Sequence, residues 1–388
     1  MADGTWPAFD DEMAQAVTRV LQSGKVNYWT GDEGKSFEKE FAAFLGIPHA
    51  VALSNGTVAL ELALQALGIG PGDDVVVTPR TFIASASAIV ARGARPVFAD
   101  VDRDSGNITA ATVAAAQTPQ TRAMVVVHMA GWPCEMDELL ALARSKNLKV
   151  VEDVAQATGG TYRGKPLGTL GDVGAFSFCQ DKIITTAGEG GMIVTRDSAL
   201  WERIWSLKDH GKSYEACFKK THPVGFRWLH EDFGTNGRMT EVQSAIGRIA
   251  LRRLPGWLEE RRLHAKTLTD VFSKIPALRV PTVPAHAGHA WYKYYAYVRP
   301  ENLKQGWSRD RILAELSQAG VPAMSGTCTE IYLEKAFEKA GLRPQERLPV
   351  ARELGETALM FLVHPGLPLA EMEKGTRAVR RAFELAAR

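Results

Sequence analysis

The first half of the chain alternates short apolar strands with helices, and this alternation limits the fold more than any other feature. Strand-like apolar patterns occur at 50–53, 75–78, 96–101, 123–128 and 148–153. Segments with helical spacing separate them. Strands that alternate with helices at this pace form a parallel sheet covered by helices on both faces. We therefore predict an α/β fold whose mostly parallel sheet lies between helices.

The second half of the chain has a different pattern. A long helical segment at 238–254 is continued beyond Pro255 by another at 257–275, and short strands then alternate with helices. A chain of 388 residues can form one large domain and a smaller one. We predict a large domain at 1–250 and a small carboxy-terminal α/β domain at 251–388.

Charge and hydropathy argue against two classes of function. The formal net charge is only +2 and no basic run is longer than a pair, so nothing favours a nucleic-acid surface. No window approaches the roughly 18 continuous apolar residues of a membrane span. We expect a protein that binds neither nucleic acid nor membrane.

The cytoplasm is the expected location. The amino terminus has no basic region followed by an apolar core, so no secretory signal is predicted. The cysteines have no CxxC or metal-ligand spacing, and we interpret them as free thiols in a reducing compartment. They are Cys134, Cys179, Cys217 and Cys328.

Lys182 is the first candidate for chemistry. It follows an apolar run at 175–179 and precedes a segment of small residues and glycines at 183–191. A desolvated lysine loses its proton readily and can attack a carbonyl. An ordinary loop lysine is the alternative, and this stretch alone does not decide between them.

Two predicted strand ends have features of a small-ligand site. Ser54-Asn-Gly-Thr57 lies between a strand and a helix, where free backbone N–H groups and the helix dipole favour phosphate. Gly56 lets the backbone approach an anion and Thr57 adds a hydroxyl, although a plain helix cap explains the same residues. Asp153 ends a predicted parallel strand, at the edge where open α/β sheets bind ligands, with a helix cap as the alternative. Gln156 is near enough to reach the same ligand.

Three more residues are candidates. Ser177 stands between two phenylalanines, five residues before Lys182, and either donates to a phosphate or only fills space on its strand. Asn236 precedes a long predicted helix whose amino terminus is a second candidate anion site, with capping by Thr240 as the alternative. Phe82 is an aromatic side chain available to cover a ring.

Together these residues meet the requirements of pyridoxal 5′-phosphate. Lys182 supplies an amine for the aldehyde and Asp153 supplies an acid for the ring nitrogen. Gly56, Thr57 and Ser177 supply a cradle for the phosphate. The cofactor is a strong electron sink while its pyridine nitrogen stays protonated, and a nearby carboxylate secures that state.

From residue 37 to about residue 365 the sequence resembles the DegT/DnrJ/StrS family of sugar aminotransferases, which have the fold-type I architecture of aspartate aminotransferase. An ordered series of motifs carries the resemblance. The motifs are Ser54-Asn-Gly-Thr-Val-Ala-Leu60, Val77-Thr-Pro79, Thr81-Phe-Ile-Ala84, Pro96-Val-Phe98, His128 with Gly131, Glu152-Asp153, Ala155-Gln156, Gly171-Asp172, Phe176-Ser-Phe178, Lys182 through Gly191, Asn236, Arg238-Met239 and His364-Pro365.

The resemblance implies roles for the residues around the ring. Lys182 is similar to the Schiff-base lysine that later moves a proton between the cofactor and the sugar carbon. Asp153 is similar to the partner of the pyridine nitrogen, and Gln156 to a donor to the phenolic oxygen. Phe82 matches the position whose ring stacks on the pyridine.

The resemblance also implies phosphate ligands and a homodimer. Gly56, Thr57 and Ser177 are similar to residues that bind the phosphate within one subunit. Asn236 is similar to the asparagine that reaches the phosphate of the neighbouring subunit. Active sites shared in this way make a homodimer the expected minimum unit.

The reaction implied is amino transfer from L-glutamate, which leaves as 2-oxoglutarate, through pyridoxamine 5′-phosphate to a nucleotide-linked keto-deoxysugar. Ile184-Thr-Thr186 with Gly188-Glu-Gly-Gly191 resembles members that act at C-4. Such products serve surface polysaccharides, glycans or secondary metabolites. The sequence leaves open the nucleotide (UDP, dTDP or GDP) and the stereochemistry.

Several alternatives remain. One is a C-3 keto-sugar aminotransferase or a cyclitol aminotransferase. Another is a sugar dehydratase, but family dehydratases carry histidine where this chain has Lys182. The third is a non-catalytic regulator, against which the lysine–aspartate pair argues, as does the lack of room for an added DNA-binding domain.

One position departs from the family pattern. Arg80 stands where many members carry an aromatic or small residue, which puts the packing around Phe82 in question. We interpret Arg80 as a solvated loop arginine, with a substrate-facing arginine as the alternative.

Overall fold

The computed structural model describes residues 5–326 and 329–388, so Cys328 and the first four residues lie outside the described residues. The helices are α1 (Asp11–Ser23), α2 (Glu33–Leu45), α3 (Gly56–Ala66), α4 (Ala84–Ala91), α5 (Ala110–Ala116), α6 (Met136–Lys146), α7 (Ser198–Lys208), α8 (Tyr214–Phe218), α9 (Glu241–Phe272), α10 (Arg309–Gln318), α11 (Lys335–Lys339), α12 (Pro349–Thr357) and α13 (Leu369–Ala386). The strands are β1 (His49–Leu53), β2 (Asp74–Val77), β3 (Arg95–Phe98), β4 (Thr121–Val127), β5 (Lys149–Asp153), β6 (Thr161–Tyr162), β7 (Lys165–Pro166), β8 (Val173–Ser177), β9 (Gly191–Thr195), β10 (Leu278–Arg279), β11 (Ala287–Gly288), β12 (Tyr294–Val298), β13 (Ala323–Met324) and β14 (Ala358–Phe361).

A seven-stranded sheet with the order β1-β9-β8-β5-β4-β2-β3 organises the larger part of the molecule. Strand β9 is antiparallel to both of its neighbours, and the other pairs are parallel. The register places Val127, Asp153 and Ala175 side by side near the carboxyl edge. The predicted α/β fold with a mostly parallel sheet is confirmed.

Strand β2 illustrates why helices cover both faces of this sheet. Val76 belongs to one hydrophobic core, while Val75 and Val77 belong to the core on the opposite face. Successive side chains of a strand point to opposite faces, so a run of three valines is buried only between two layers. Helices α1, α2 and α9 pack in the first core, and α3, α4 and α7 pack in the second.

A smaller antiparallel sheet, β10-β12-β14-β13, packs with α10 and α13 around a third core. Helix α9 joins the two parts, because Ala250 packs in the first core and Leu268 in the third. The expected division between 1–250 and 251–388 stays a proposal, and residue 250 lies inside α9.

Helix α9 is one continuous helix of 32 residues that contains Pro255, although the sequence predicted segments on either side of the proline. A proline in a helix removes one backbone donor and clashes with the preceding turn. Leu254 and Leu258 lie one turn apart and pack against the same core. This tertiary packing keeps the helix continuous.

Two further findings concern the cysteines and the possibility of a membrane-spanning helix. Cys134, Cys179 and Cys217 are free thiols. None of the helices in the described part of the chain combines the length and apolar character needed to span a membrane. Between α7 and α9, Tyr214–Phe218 forms the short helix α8.

Candidate active site

Asp153 ends strand β5 and is 3% exposed at the carboxyl edge of the large sheet. Its Oδ2 accepts a hydrogen bond from Ser85 Oγ (2.7 Å), and its Oδ1 accepts one from the Ala155 N–H (3.0 Å). Burial raises the pKa of Asp153, and these two hydrogen bonds and the charge of Lys182 oppose the rise. A buried acid with a raised pKa needs a cation beside it to stay ionised.

Gly56 and Ser177 are in close contact. Gly56 begins helix α3, where Asn55 Oδ1 caps the Val58 N–H at 2.9 Å. A Cβ added to Gly56 would lie 2.6 Å from Ser177 Cβ, so only glycine fits here. The free N–H groups of the first turn, which include that of Thr57, therefore lie next to the Ser177 hydroxyl. This set of donors suits an anion such as phosphate.

Gln156 lies three residues beyond Asp153 and is 3% exposed. Its Oε1 accepts a hydrogen bond from the Ala130 N–H (2.9 Å), while the Ala130 carbonyl accepts one from the Tyr292 N–H (2.9 Å). Ala130 therefore links Gln156, in the turn after β5, to Tyr292 of the segment that leads into β12. The bond to Oε1 leaves the amide nitrogen of Gln156 as the end able to donate.

Lys182 lies in the loop between β8 and β9, and its Nζ is 3.5 Å from Tyr292 Oη. The Tyr292 hydroxyl donates to Asp181 Oδ2 at 2.5 Å, and Lys293 Nζ is 3.4 Å from the same oxygen. Burial raises the pKa of Asp181, but the Tyr292 hydrogen bond and the two lysines outweigh it and hold that pKa below its usual range. Burial beside this carboxylate raises the pKa of Tyr292. The loop lysine is thus held in a network of ionisable groups.

A buried network supports the edge of the sheet behind Asp153. His128 and Glu152 are both fully buried, with Nε2 and Oε2 3.1 Å apart, and His128 Nδ1 accepts the Cys134 N–H. Glu152 also accepts the N–H groups of Gly168, Leu170 and Gly171. These contacts fix the loop that precedes β8, and with it the spacing between β5 and β8.

Phe82 and Arg80 lie on the segment between β2 and α4. Phe82 is 56% exposed, and its carbonyl accepts the N–H of Ser85, the residue that donates to Asp153. Its stacking role stays a prediction. The interpretation of Arg80 as a solvated arginine is wrong, because Arg80 is 1% exposed and lies about 6 Å from the ring centres of Tyr295 and Tyr297.

Asn236 is exposed and forms an antiparallel bridge with Asp209 at the end of α7. The next residue, Gly237, accepts the Ser54 N–H at 2.8 Å, which brings this segment to the start of α3. Thr240 caps α9 through a capping box with Gln243, as the capping alternative for this helix start predicted. The expected reach of Asn236 to a neighbouring subunit stays a prediction.

Sequence patterns alone do not indicate Tyr292, Asp181, Lys293 or Ser85 as site residues. Asp181 and Lys293 adjoin Lys182 and Tyr292 along the chain, but a polar residue next to a candidate is too common a signal. Tyr292 lies 110 residues beyond Lys182 in a run of aromatic residues, so only the tertiary fold brings the two together.

Comparison with known proteins identifies the family of this chain. The model of the DegT/DnrJ/EryC1/StrS aminotransferase family matches residues 7–380. The dTDP-3-amino-3,4,6-trideoxy-alpha-D-glucose transaminase of Streptomyces venezuelae is 35% identical over 96% of this chain and 92% of its own. The UDP-N-acetyl-3-dehydro-alpha-D-glucosamine 3-aminotransferase of Acidithiobacillus ferrooxidans is 33% identical over 96% of this chain and 94% of its own. The crystal structure of an aminotransferase from Psychrobacter cryohalolentis is 53% identical with a TM-score of 0.97, and the match covers 98% of this chain and 99% of that one.

This chain belongs to the DegT/DnrJ/EryC1/StrS aminotransferase family. It is a sugar aminotransferase that depends on pyridoxal 5′-phosphate, as the enzymes of this family do. The crowding of Gly56 against Ser177 and the buried acid Asp153 fit that cofactor.

Proposed function

We propose that this enzyme moves the amino group of L-glutamate onto a ring keto group of a nucleotide-linked deoxysugar. One observation carries the proposal. A buried acid, Asp153, lies at the carboxyl edge of the sheet, and the strand beside it leads through Ser177 to Lys182. This order provides an acid for a ring nitrogen, a phosphate cradle and an amine around one small ligand.

The residues that hold the cofactor are those predicted from the sequence. The backbone of Gly56 and Thr57 and the hydroxyl of Ser177 bind its phosphate, while Asp153 faces the ring nitrogen. Gln156 donates to the phenolic oxygen and Phe82 covers the ring. Asn236 binds the phosphate of a neighbouring subunit, which makes the working unit a homodimer with shared active sites.

The cofactor supplies an electron sink and an aldehyde that accepts the amine. Asp153 keeps the ring nitrogen protonated, because a buried carboxylate is ionised only beside a positive charge. Lys182 removes a proton from the amino-acid Cα and later delivers one to the sugar carbon. Tyr292 and Asp181 hold the Lys182 amine at the face where these transfers occur.

Two ring positions are candidates for the keto group. The residues after Lys182, Ile184-Thr-Thr186, favour C-4. The names of the two curated relatives described above instead specify amino groups at C-3. Both candidates require the same cofactor and donor, so the choice rests on the sugar that the enzyme accepts.

Lys182 and the cysteines bear on the dehydratase alternative and on the cellular location. A lysine at position 182 argues against a dehydratase, whose family members carry histidine there. The free thiols of Cys134, Cys179 and Cys217 are typical of a reducing compartment, so we assign the enzyme to the cytoplasm.

A panel of 3-keto and 4-keto sugar nucleotides, offered with L-glutamate, tests this function. We expect mass spectrometry to show one amino-sugar product and one equivalent of 2-oxoglutarate, and NMR of the product to give the ring position. An enzyme loaded with cofactor that converts none of the panel contradicts the proposal. A dehydrated product without nitrogen would favour the dehydratase instead.

A further inference from the structure

Arg80 is a buried charge, and two of its three guanidinium nitrogens have no hydrogen-bond partner among the described residues. It is 1% exposed, and its Nε and Nη1 have no hydrogen bond in the described part of the chain. Two aromatic rings lie beside it: the guanidinium carbon is 6.0 Å from the ring centre of Tyr295 and 5.9 Å from that of Tyr297. These distances are at the outer limit of a cation–π contact. A buried, unpaired guanidinium is costly, and such groups in proteins are normally paired with an anion.

A narrow cavity adjoins Arg80. It measures about 30 Å3, which is enough for a carboxylate group or one to two water molecules but not for a whole sugar nucleotide. The acidic residue in its described wall, Asp104, is paired with Arg279 and largely exposed, so it does not neutralise Arg80. As far as the described residues show, the cavity therefore presents a positive charge without a paired anion, in a space the size of one small anionic group.

The wall of this cavity is continuous with the active site. Lys293 lines it and also lies 3.4 Å from Asp181, the partner of Tyr292. Ala130 lines it and donates to Gln156. A ligand that reaches the cavity thus shares neighbours with one bound at Lys182.

We propose that Arg80 binds a carboxylate group of a substrate in this cavity and so determines which substrate the enzyme accepts. The fork of a guanidinium matches a carboxylate with two parallel hydrogen bonds. Two substrates can supply this group: the amino donor, through its side-chain carboxylate, or a sugar nucleotide oxidised to a carboxylate. The proposal rests on the proposed function, because it concerns a subsite of the same reaction.

Equilibrium binding to the holoenzyme tests the subsite without turnover. The probes are glutarate, which has two carboxylates and no amine, and UDP-glucuronate compared with UDP-glucose. We expect Arg80→Gln to weaken the binding of glutarate or of UDP-glucuronate at least tenfold and to leave the binding of UDP-glucose unchanged. If only glutarate binding is weakened, the amino donor is the source of the carboxylate. If only UDP-glucuronate binding is weakened, the sugar nucleotide is the source.

Arg92→Gln is the matched control. Arg92 lies at the end of α4 and does not line the cavity, and its Nε also has no hydrogen-bond partner among the described residues. We expect it to change neither affinity. Arg80→Gln should also melt at the same temperature as the wild type or higher, since it removes an unpaired buried charge. An Arg80→Gln holoenzyme that binds both carboxylate probes as the wild type does overturns the proposal, and so does a wild type that binds neither.

Failure of this subsite and failure of the proposed function are distinguishable. If the wild type aminates a sugar but Arg80→Gln binds both carboxylate probes as the wild type does, only the proposed role of Arg80 is wrong. If the wild type binds a carboxylate through Arg80 but transfers no amine, only the proposed reaction is wrong.

Discussion

The amine of Lys182 lies 3.5 Å from the phenolic oxygen of Tyr292, which in turn donates a hydrogen bond to Asp181. The two residues come from different parts of the fold: Lys182 from the loop between two strands of the large sheet, and Tyr292 from the segment that leads into the small sheet. Both sheets therefore position the lysine.

Tyr292→Phe removes only the hydroxyl of this contact. We expect kcat to fall about tenfold or more, the loss expected for one hydrogen bond to a charged group. The acid limb of the pH–rate profile should move to higher pH, because Asp181 loses a group that holds its pKa low. The measurement is steady-state kinetics of amino transfer across pH.

Tyr162→Phe is the matched control for Tyr292→Phe. Tyr162 is also buried and donates to a carboxylate, that of Glu135, at 3.2 Å. We expect its kinetics and pH profile to match the wild type. Equal losses in the two variants would mean that the Tyr292 hydroxyl serves stability only.

Asp153→Asn should lower kcat at least about a hundredfold while cofactor still binds, because asparagine does not keep the ring nitrogen protonated. Absorbance spectra of the bound cofactor and rates of amino transfer measure the two effects. An unchanged rate would remove Asp153 from the site.

The same substitution should have the opposite effect on the stability of the cofactor-free protein. Burial raises the folded-state pKa of Asp153 above its ordinary value of 3.8, so the folded protein binds this proton more tightly than the unfolded chain does. The wild type therefore loses free energy of unfolding as the pH rises from the ordinary pKa to the raised one, and asparagine does not. Urea unfolding between about pH 4 and pH 8 should show an advantage for Asp153→Asn that grows with pH. An advantage that does not change with pH would contradict the raised pKa.

Gly56→Ala should weaken cofactor binding at least tenfold, because the new Cβ would lie 2.6 Å from Ser177 Cβ and would displace the phosphate cradle. Gly256→Ala is the control, since nothing lies within 4 Å of its added Cβ inside α9. We expect the control to bind cofactor normally and to be more stable by about 0.5–1 kcal/mol. Titration with pyridoxal 5′-phosphate, followed by fluorescence, measures both affinities. Equal affinities for the two variants would mean that Gly56 does not shape the cradle.

Local patterns were sufficient for the parts of the site that lie at strand ends. Asp153 follows three strand-forming residues, and the parallel sheet confirmed in the structure brings it beside the strand that carries Ser177. The helix start at Gly56 follows from its place between a strand and an amphipathic helix. In each case the informative signal lies within a few residues of the candidate.

The remaining features depend on contacts between distant segments. Arg80 looks like a surface arginine until β12 places Tyr295 and Tyr297 over it. Helix α9 looks interrupted at Pro255 until Leu254 and Leu258 are seen to pack on one core. Helix α8, with five residues, is too short to show a periodicity. Sequence patterns do not encode these long-range pairings.

We propose that Lys182 carries the amino transfer to a keto sugar. The most direct measurement follows nitrogen from 15N-labelled L-glutamate into the sugar nucleotide by mass spectrometry, for the wild type, Lys182→Ala and the exposed control Lys165→Ala. We predict labelled amino sugar from the wild type and the control, and a rate lower by at least about a thousandfold from Lys182→Ala. Labelled product formed at a comparable rate by Lys182→Ala, or a wild type that releases sugar without label, would contradict the claim.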